Sequence, residues 1–488
     1  LANNKQVESK ISGSKSVILT AVICGILLVG VIVWAAFTKS ANDIKNKVAM
    51  TVGETEISGA EFEYQYKDSI LTFQNQYQDY LSAFGVDFEG DLGAQQYTED
   101  QTWKEYFISN AVAALTERYL FLNDAEEAGY TLPEDEKKAV LDEAESLKEA
   151  LTSMGIDFNA YLKSIYTKDL TYSAFKNYTL LNSTAYNYYQ DVVVPGFNID
   201  DAKLNAYYDA HKDDIDTVDF RYHLFSYTVP SNVTEGDESY KADAKAKAEA
   251  TLAAITDEAS FDEAVKAQLA EGETASVSDS NNVSKNEILP DLASWLFDSA
   301  RVEGDKAVIE ANNGYFVMYF VAREKGDYET VNVRHILVAP EVEEHDESDE
   351  TVNDEAIHAA ANEAAKAKAE EILNEWLAGD KTEDSFAKLT TEKASANIAG
   401  EKFNQVTKGY MVEEFENWIF DSARKAGDCD IVETEYGYHI IYFVGTDEIA
   451  WKITANAGVE SEEYSAYMEA LKAKYEVVTY DEVMNLVD

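Results

Sequence analysis

Residues Trp418 to Val444 read WIFDSARKAGDCDIVETEYGYHIIYFV, and an imperfect copy, WLFDSARVEGDKAVIEANNGYFVMYFV, runs from Trp295 to Val321. Fourteen of the 27 positions match without a gap, including the Phe-Asp-Ser-Ala-Arg run, the Gly-Asp turn and the Gly-Tyr before the last apolar strand. The copies start 123 residues apart. That period is too long for a solenoid unit, so the pattern reads as two complete copies of one small domain in tandem. They differ in chemistry, because the final strand of the second copy carries His439 where the first has Phe316. One copy is expected to be competent and the other not.

Each copy extends upstream into a β-rich stretch, FRYHLFSYTV with His223 in the first and VNVRHILVAP with His335 in the second. An Ala-Lys-rich helix follows, then a second helix starting near Ser260-Phe261 or Ser385-Phe386. Strand, two helices, the helix of the repeat and a closing strand predict a compact α+β domain around a small sheet, placed at residues 218–324 and again at 330–446. The second copy also inserts EVEEHDESDETVNDE at residues 341–355, with nine acidic side chains. A solvated loop is the plain reading. Calcium ligation is the alternative, without EF-hand spacing.

Residues Val17 to Phe37 contain no charge over 21 positions, the length that crosses a bilayer as one helix. The expected layout is a cytoplasmic tail at 1–14 and a transmembrane anchor at 15–38, with the bulk of a single-pass cell-membrane protein outside the cytoplasm. A cleaved signal peptide is the alternative, but its apolar core is ordinarily only about 7 to 15 residues. Residues 46–205 read as a helical domain. Ser58 with Glu61, and Thr131 with Glu134, have the spacing of capping boxes, and Gly129 and Gly155 stop helices. Its tyrosines (Tyr161, Tyr166, Tyr172, Tyr178, Tyr186, Tyr188 and Tyr189) read as core, or else as a groove for extended polypeptide. Residues 450–488 are too few for a domain and are expected to pack on this helical part.

The 92 acidic residues against 40 Lys and Arg leave a formal charge of -52, which argues against nucleic acid binding. Cys24 and Cys429 cannot form a disulfide framework. No G-x-S-x-G, H-E-x-x-H or phosphate-binding glycine loop occurs, so hydrolase chemistry is not expected, and neither is a metal or a cofactor. Nothing in the sequence specifies an oligomer, and a dimer through the helical part has no particular signal.

The segments RHILV (334–338), AKAEEIL (367–373), GYMVEEFENWIF (409–420) and YGYHIIYFV (436–444) together resemble a parvulin-type peptidyl-prolyl isomerase domain. The VGETEISGAEF start, the helical part and the C-terminal helix are similar to the chaperone module of extracytoplasmic foldases of the SurA and PrsA type. The resemblance implies a histidine pair at His335 and His439, a hydroxyl at Thr434, and a proline pocket from Met411 and Phe415. It also implies that Glu392 or Lys393 takes the place of the acid or thiol beside the substrate amide. The family's Gly-Gly-Asp-Leu-Gly loop is replaced by Ala399-Gly400-Glu401-Lys402-Phe403. The first copy keeps His223 but has Phe316 for the second histidine, Ile288 and Leu292 opposite Met411 and Phe415, and Pro290 interrupting the helix.

Physically, an X-Pro amide turns over a barrier of about 20 kcal/mol because twisting destroys resonance. A catalyst needs an apolar cup for the ring and a water-poor site that favours the twisted amide, with no lasting bond. The expected function is a membrane-anchored foldase that isomerises X-Pro bonds in exported polypeptides and binds unfolded clients. The alternative is a non-catalytic holdase with two inactive parvulin-like domains.

Overall fold

The computed structural model describes residues 44–231, 238–270, 277–342 and 354–487. The apolar segment 17–37 and most of the acidic insert lie outside them. Among the described residues no helix is long and apolar enough to cross a membrane. Chain contacts divide the fold into two units, one up to Asn198 together with Glu460 onward, the other Ile199–Val459.

The first unit opens with strands β1 (Val48–Val52) and β2 (Thr55–Ser58), joined in an antiparallel hairpin. Helices α1 (Gly59–Gln76), α2 (Trp103–Glu127), α3 (Glu134–Ser153), α4 (Phe158–Ile165) and α5 (Tyr172–Tyr188) follow. Ser58 caps α1 by accepting the Glu61 N–H at 3.3 Å. The Glu61 carboxylate does not fold back onto the cap as the spacing suggested. It turns into the core, where Tyr119 Oη donates to it at 2.9 Å and Arg118 Nη1 at 3.3 Å. Burial pushes Glu61 above the usual carboxylate range although Tyr119 and Arg118 oppose this. The capping box is instead at Thr102 and Glu105, ahead of α2. Helix α3 starts from Pro133 rather than Thr131. Of the tyrosines singled out above, Tyr161, Tyr166 and Tyr178 join one apolar cluster with Phe158 and Phe175. Tyr188 is buried with its hydroxyl on Asp124 at 2.7 Å, whereas Tyr186 is exposed.

The second unit begins with α6 (Asp201–Ala210) and holds two four-stranded antiparallel sheets. The first contains β3 (Thr217–Ser226), β4 (Ser278–Ser284), β5 (Lys306–Ala311) and β6 (Gly314–Glu324) in the order β4-β3-β6-β5. Helices α7 (Ala242–Ala254) and α8 (Phe261–Lys266) cover one face and α9 (Pro290–Leu296) the other. The second contains β7 (Glu329–Val338), β8 (Ile398–Val406), β9 (Cys429–Thr434) and β10 (Gly437–Ile449) in the order β8-β7-β10-β9. Helices α10 (Asp354–Ala378) and α11 (Glu383–Lys393) lie on one face and α12 (Glu413–Ile419) on the other. Strand alternation divides β10 accordingly, with Tyr438, Ile440 and Tyr442 toward α10 and Ile441 and Phe443 toward α12.

The repeat's identical residues build the same corner twice. Asp298 and Asp421 each accept the N–H two residues on at 2.9 Å. Arg301 and Arg424 then fold over Trp295 and Trp418, 4.3 and 4.4 Å from the ring centres. The Gly-Asp pairs join the corner to the strand, Gly304 N–H to Phe320 O at 3.0 Å and Gly427 N–H to Phe443 O at 2.9 Å. Pro290, expected to interrupt its helix, occupies the first position of α9 instead, where a missing N–H costs nothing.

The chain closes with α13 (Ala450–Lys474), β11 (Val477–Thr479) and α14 (Asp481–Met484). Strand β11 pairs antiparallel with β1, giving the order β11-β1-β2. Tyr464 Oη donates to Glu117 at 2.8 Å, and Tyr467 and Lys474 both engage Asp124. Burial alone would raise Asp124, but hydrogen bonds from Tyr467, Tyr188 and Lys474 hold its carboxyl below the usual range.

Candidate functional site

Strands β7 and β10 are the central pair of the second sheet, and their register sets His335 opposite Ile441 and Leu337 opposite His439. Directly paired residues share a face, so both histidines lie on the α12 side. Their Nδ1 atoms are 3.1 Å apart with the rings 21° from parallel. Thr434 Oγ1 on β9 is 3.0 Å from His439 Nε2 and accepts the Tyr436 N–H at 3.2 Å. Among the described residues, His335 Nε2 is buried without a hydrogen-bond partner.

Two neutral arrangements satisfy this chain. If His439 Nδ1 holds the shared proton, Thr434 donates to His439 Nε2 and His335 carries its proton on Nε2. If His335 Nδ1 holds it, His439 Nε2 donates to Thr434 and His335 Nε2 is a bare lone pair. The state of the unpartnered nitrogen is thus coupled to the threonine hydroxyl through two rings.

Burial pushes both imidazoles down to about 4, and for His335 the neighbouring His439 adds to the effect. Their ordinary value is 6.5, so below it the unfolded chain binds more protons than the folded one. The pair's contribution to stability is therefore fully present above about 6.5 and is lost as pH falls toward about 4. In urea titrations across that window, His439→Phe in the full chain is expected to flatten the acid loss. Identical slopes for variant and wild type would contradict the assignment.

The histidines lie under aromatic cover. Phe415 on α12 stands edge-on to both rings, 5.7 Å from His335 and 5.2 Å from His439. Met411 packs half-buried in the same cluster, and Phe403 of β8 stacks on His335 at 5.1 Å and 27°. Nothing in the sequence singles out Phe403: residues 399–403 depart from the family's glycine loop, yet they lie within strand β8. Glu401 is exposed and directly opposite His335 in the β7–β8 ladder, which sets a carboxylate on the histidine face.

Glu392 and Lys393 require a correction. Both end α11, whose Phe386 and Leu389 pack into the cluster on the other face of the sheet. Exposed Glu392 pairs with Lys388 at 3.5 Å, and Lys393 with Glu375 of α10 at 2.6 Å. Neither joins the histidine network. Nor does Cys429 offer a nucleophile, since burial, with Asp430 beside it, pushes its thiol up to about 12.

Gly400 keeps the ladder close at this point. A Cβ there would lie 2.3 Å from the His335 carbonyl oxygen and 2.8 Å from Thr390 Cγ2. Gly400→Ala is expected to destabilise the second sheet by about 1 to 3 kcal/mol through overpacking. Urea titration of the full chain measures this, and an unchanged midpoint would contradict it.

The first sheet also corrects the sequence comparison. Arg221 pairs with Tyr319 as Arg334 does with Tyr442, so Tyr222, opposite Met318, holds the place of His335. His223 is shifted to the opposite face, edge-on to Phe225 at 4.5 Å. A slip of one residue in a strand exchanges its faces, and the shared Arg and His letters concealed it. Ala311 opposite Gly314 matches Thr434 opposite Gly437. Tyr222, Phe316 and Ala311 thus replace His335, His439 and Thr434, with the two rings 5.9 Å apart. Leu292 is buried where Phe415 would stand, with Ile288 half-buried beside it.

Two family models described as PPIC-type PPIase domain match residues 199–332 and 316–446. Each sheet with its helices is a peptidyl-prolyl-isomerase-type domain. Over 93 residues the chain is 38% identical to the foldase protein PrsA of Exiguobacterium sibiricum, which covers 19% of this chain and 29% of that protein. The chain thus spans under a third of the length of that curated relative. Among solved structures, a SurA-like chaperone of Campylobacter jejuni matches at 12% identity and TM-score 0.17, covering 74% of this chain and all of that one. The PrsA foldase of Lactococcus lactis matches at 13% and TM-score 0.18, covering 72% and all of it. The chain thus carries two domains of the PPIC-type PPIase family and is similar over part of its length to a PrsA foldase.

Proposed function

We propose that the second domain catalyses cis-trans isomerisation of X-Pro bonds in unfolded, exported polypeptides. One observation carries the reading: the Thr434–His439–His335 chain under Phe415, Met411 and Phe403 is complete in this domain, and Tyr222, Phe316 and Ala311 replace it in the other. The prolyl ring fits the apolar cup, where exclusion of water favours an amide that has lost its charge separation. His335 Nε2, an unpartnered polar atom in a dry site, would answer to the twisting amide, with its proton state set through His439 by Thr434. Glu401 supplies a carboxylate at the rim.

The first domain serves as scaffold, and the helical unit binds clients. The segment at residues 17–37 anchors the chain, with its bulk extracytoplasmic, as the relation to PrsA suggests. A holdase without catalysis is the second reading. It is favoured by the place of Glu392 and Lys393, which are ion-paired with Lys388 and Glu375 and stand outside the histidine network.

Refolding of a client whose slow phase is an X-Pro isomerisation separates the two. An isomerase accelerates that phase when substoichiometric, whereas a holdase only suppresses aggregation near equimolar ratios. Absence of acceleration would end the enzyme reading.

A further inference from the structure

The loop from Thr407 to Val412 joins β8 to α12 and carries Met411 to the aromatic cup. Contacts from three sources hold it. From its own domain, Glu416 Oε2 accepts the Gly409 N–H at 2.6 Å, and the same carboxylate takes hydrogen bonds from the Tyr410 and Met411 backbones. From the linker between the domains, Tyr328 Oη accepts the Lys408 N–H at 2.9 Å, and the Lys408 ammonium lies 4.8 Å from the Tyr328 ring centre. The third comes from the first domain. Gly409, at φ +82°, lies so close to its edge strand β4 that an added Cβ would be 3.0 Å from Asn282 Cβ and 3.1 Å from Asn281 O.

Asn281 and Asn282 are not ordinary strand residues. The β3–β4 ladder breaks register between Val218 opposite Val283 and Phe220 opposite Ser280, so the two asparagines face Asp219 alone. This is a β-bulge, with Asn282 at φ +53° and its N–H on Asp219 Oδ1 at 2.6 Å. The second domain has a matching bulge, in which Gln405 at φ +53° donates its N–H to Asn332 Oδ1 at 2.8 Å. The first domain's bulge thus sits against the loop that frames the second domain's cup.

We propose that the first domain and the linker that follows it are positioning elements for the second: the Asn281–Asn282 bulge of the one and Tyr328 of the other fix the Thr407–Val412 loop and thereby hold Met411 in place over the proline cup. This explains how a domain without the histidine chain still serves the site. Tyr328 and Asn282 are positioning residues and touch no substrate. The catalytic consequence rests on the isomerase reading, and the loop contact does not.

The test uses the full chain with Tyr328→Phe, which removes the acceptor hydroxyl, and with Asn282→Gly, which tolerates the positive φ and removes the Cβ at the contact. Methyl-13C spectra resolve six methionines, among them Met411 at the cup and Met318 in the first domain's core. The double variant is expected to shift and broaden Met411 while Met318 stays fixed. Kinetically, KM for an X-Pro peptide is expected to rise on the order of five- to tenfold with kcat little changed, since a loosened loop must be ordered on binding. A Met411 signal identical to wild type, or unchanged KM in an active chain, overturns the proposal. An inactive wild type would defeat the isomerase reading alone, because the methyl spectra still decide the loop contact. Tyr328→Phe by itself provides the second variant if the pair fails to fold.

Discussion

His439→Phe is expected to lower kcat/KM for X-Pro isomerisation by about 100-fold, the scale of removing one preorganised polar group from a dry site. Phenylalanine is the first domain's own residue at this place, so the ring is accommodated sterically. What is lost is the partner of His335 Nδ1 and of Thr434 Oγ1. A buried nitrogen left without a partner costs about 1 to 3 kcal/mol, so the single variant should also be less stable. Adding His335→Tyr and Thr434→Ala completes the first domain's set and is expected to restore stability without restoring turnover. Peptide exchange rates and urea titrations on the same samples separate these effects. A single variant that keeps the wild-type rate would remove the histidines from the mechanism.

Phe415→Ala carries the largest expected effect on stability. The side chain is 2% exposed, at the centre of the cluster formed by Val333, Ile419, Ile441 and Phe443. Emptying such a position costs about 3 to 5 kcal/mol, as lost transfer energy and a residual cavity add. Phe415→Leu reproduces Leu292 of the first domain and should cost less than about 1.5 kcal/mol. It should nonetheless raise KM, because the edge-on ring against both histidines is gone. Equal midpoints for Phe415→Ala and wild type would contradict the core role, and an unchanged KM for Phe415→Leu would contradict the cup.

The repeat made the two α+β domains legible, because Asp298 and Asp421, Arg301 and Arg424, and the Gly-Asp pairs each build a corner that needs those side chains. His335, His439, Thr434, Met411 and Phe415 come together on one sheet face. Strand register was less legible. Counted from the shared arginines Arg221 and Arg334, which have equivalent partners, His223 lies one residue beyond the place of His335, so Tyr222 takes the site face. Glu392 and Lys393 were misplaced for a related reason, since counting along a motif does not say which face of the sheet its helix covers. Phe403 is not legible in the sequence, because the departure from the glycine loop at residues 399–403 hides an ordinary strand. In the helical unit, the capping spacing at Glu61 was real, but burial beside Arg118 and Tyr119 claimed the carboxylate.

The central claim is that the second domain alone carries a working prolyl site. The most direct test is the cis-trans exchange rate of a short X-Pro peptide, measured by NMR with the full chain and with the chain bearing His335→Tyr, His439→Phe and Thr434→Ala together. Acceleration by the native chain that the folded triple variant lacks is the predicted result. Equal rates from the two chains, whether both accelerated or both at the uncatalysed value, would contradict it.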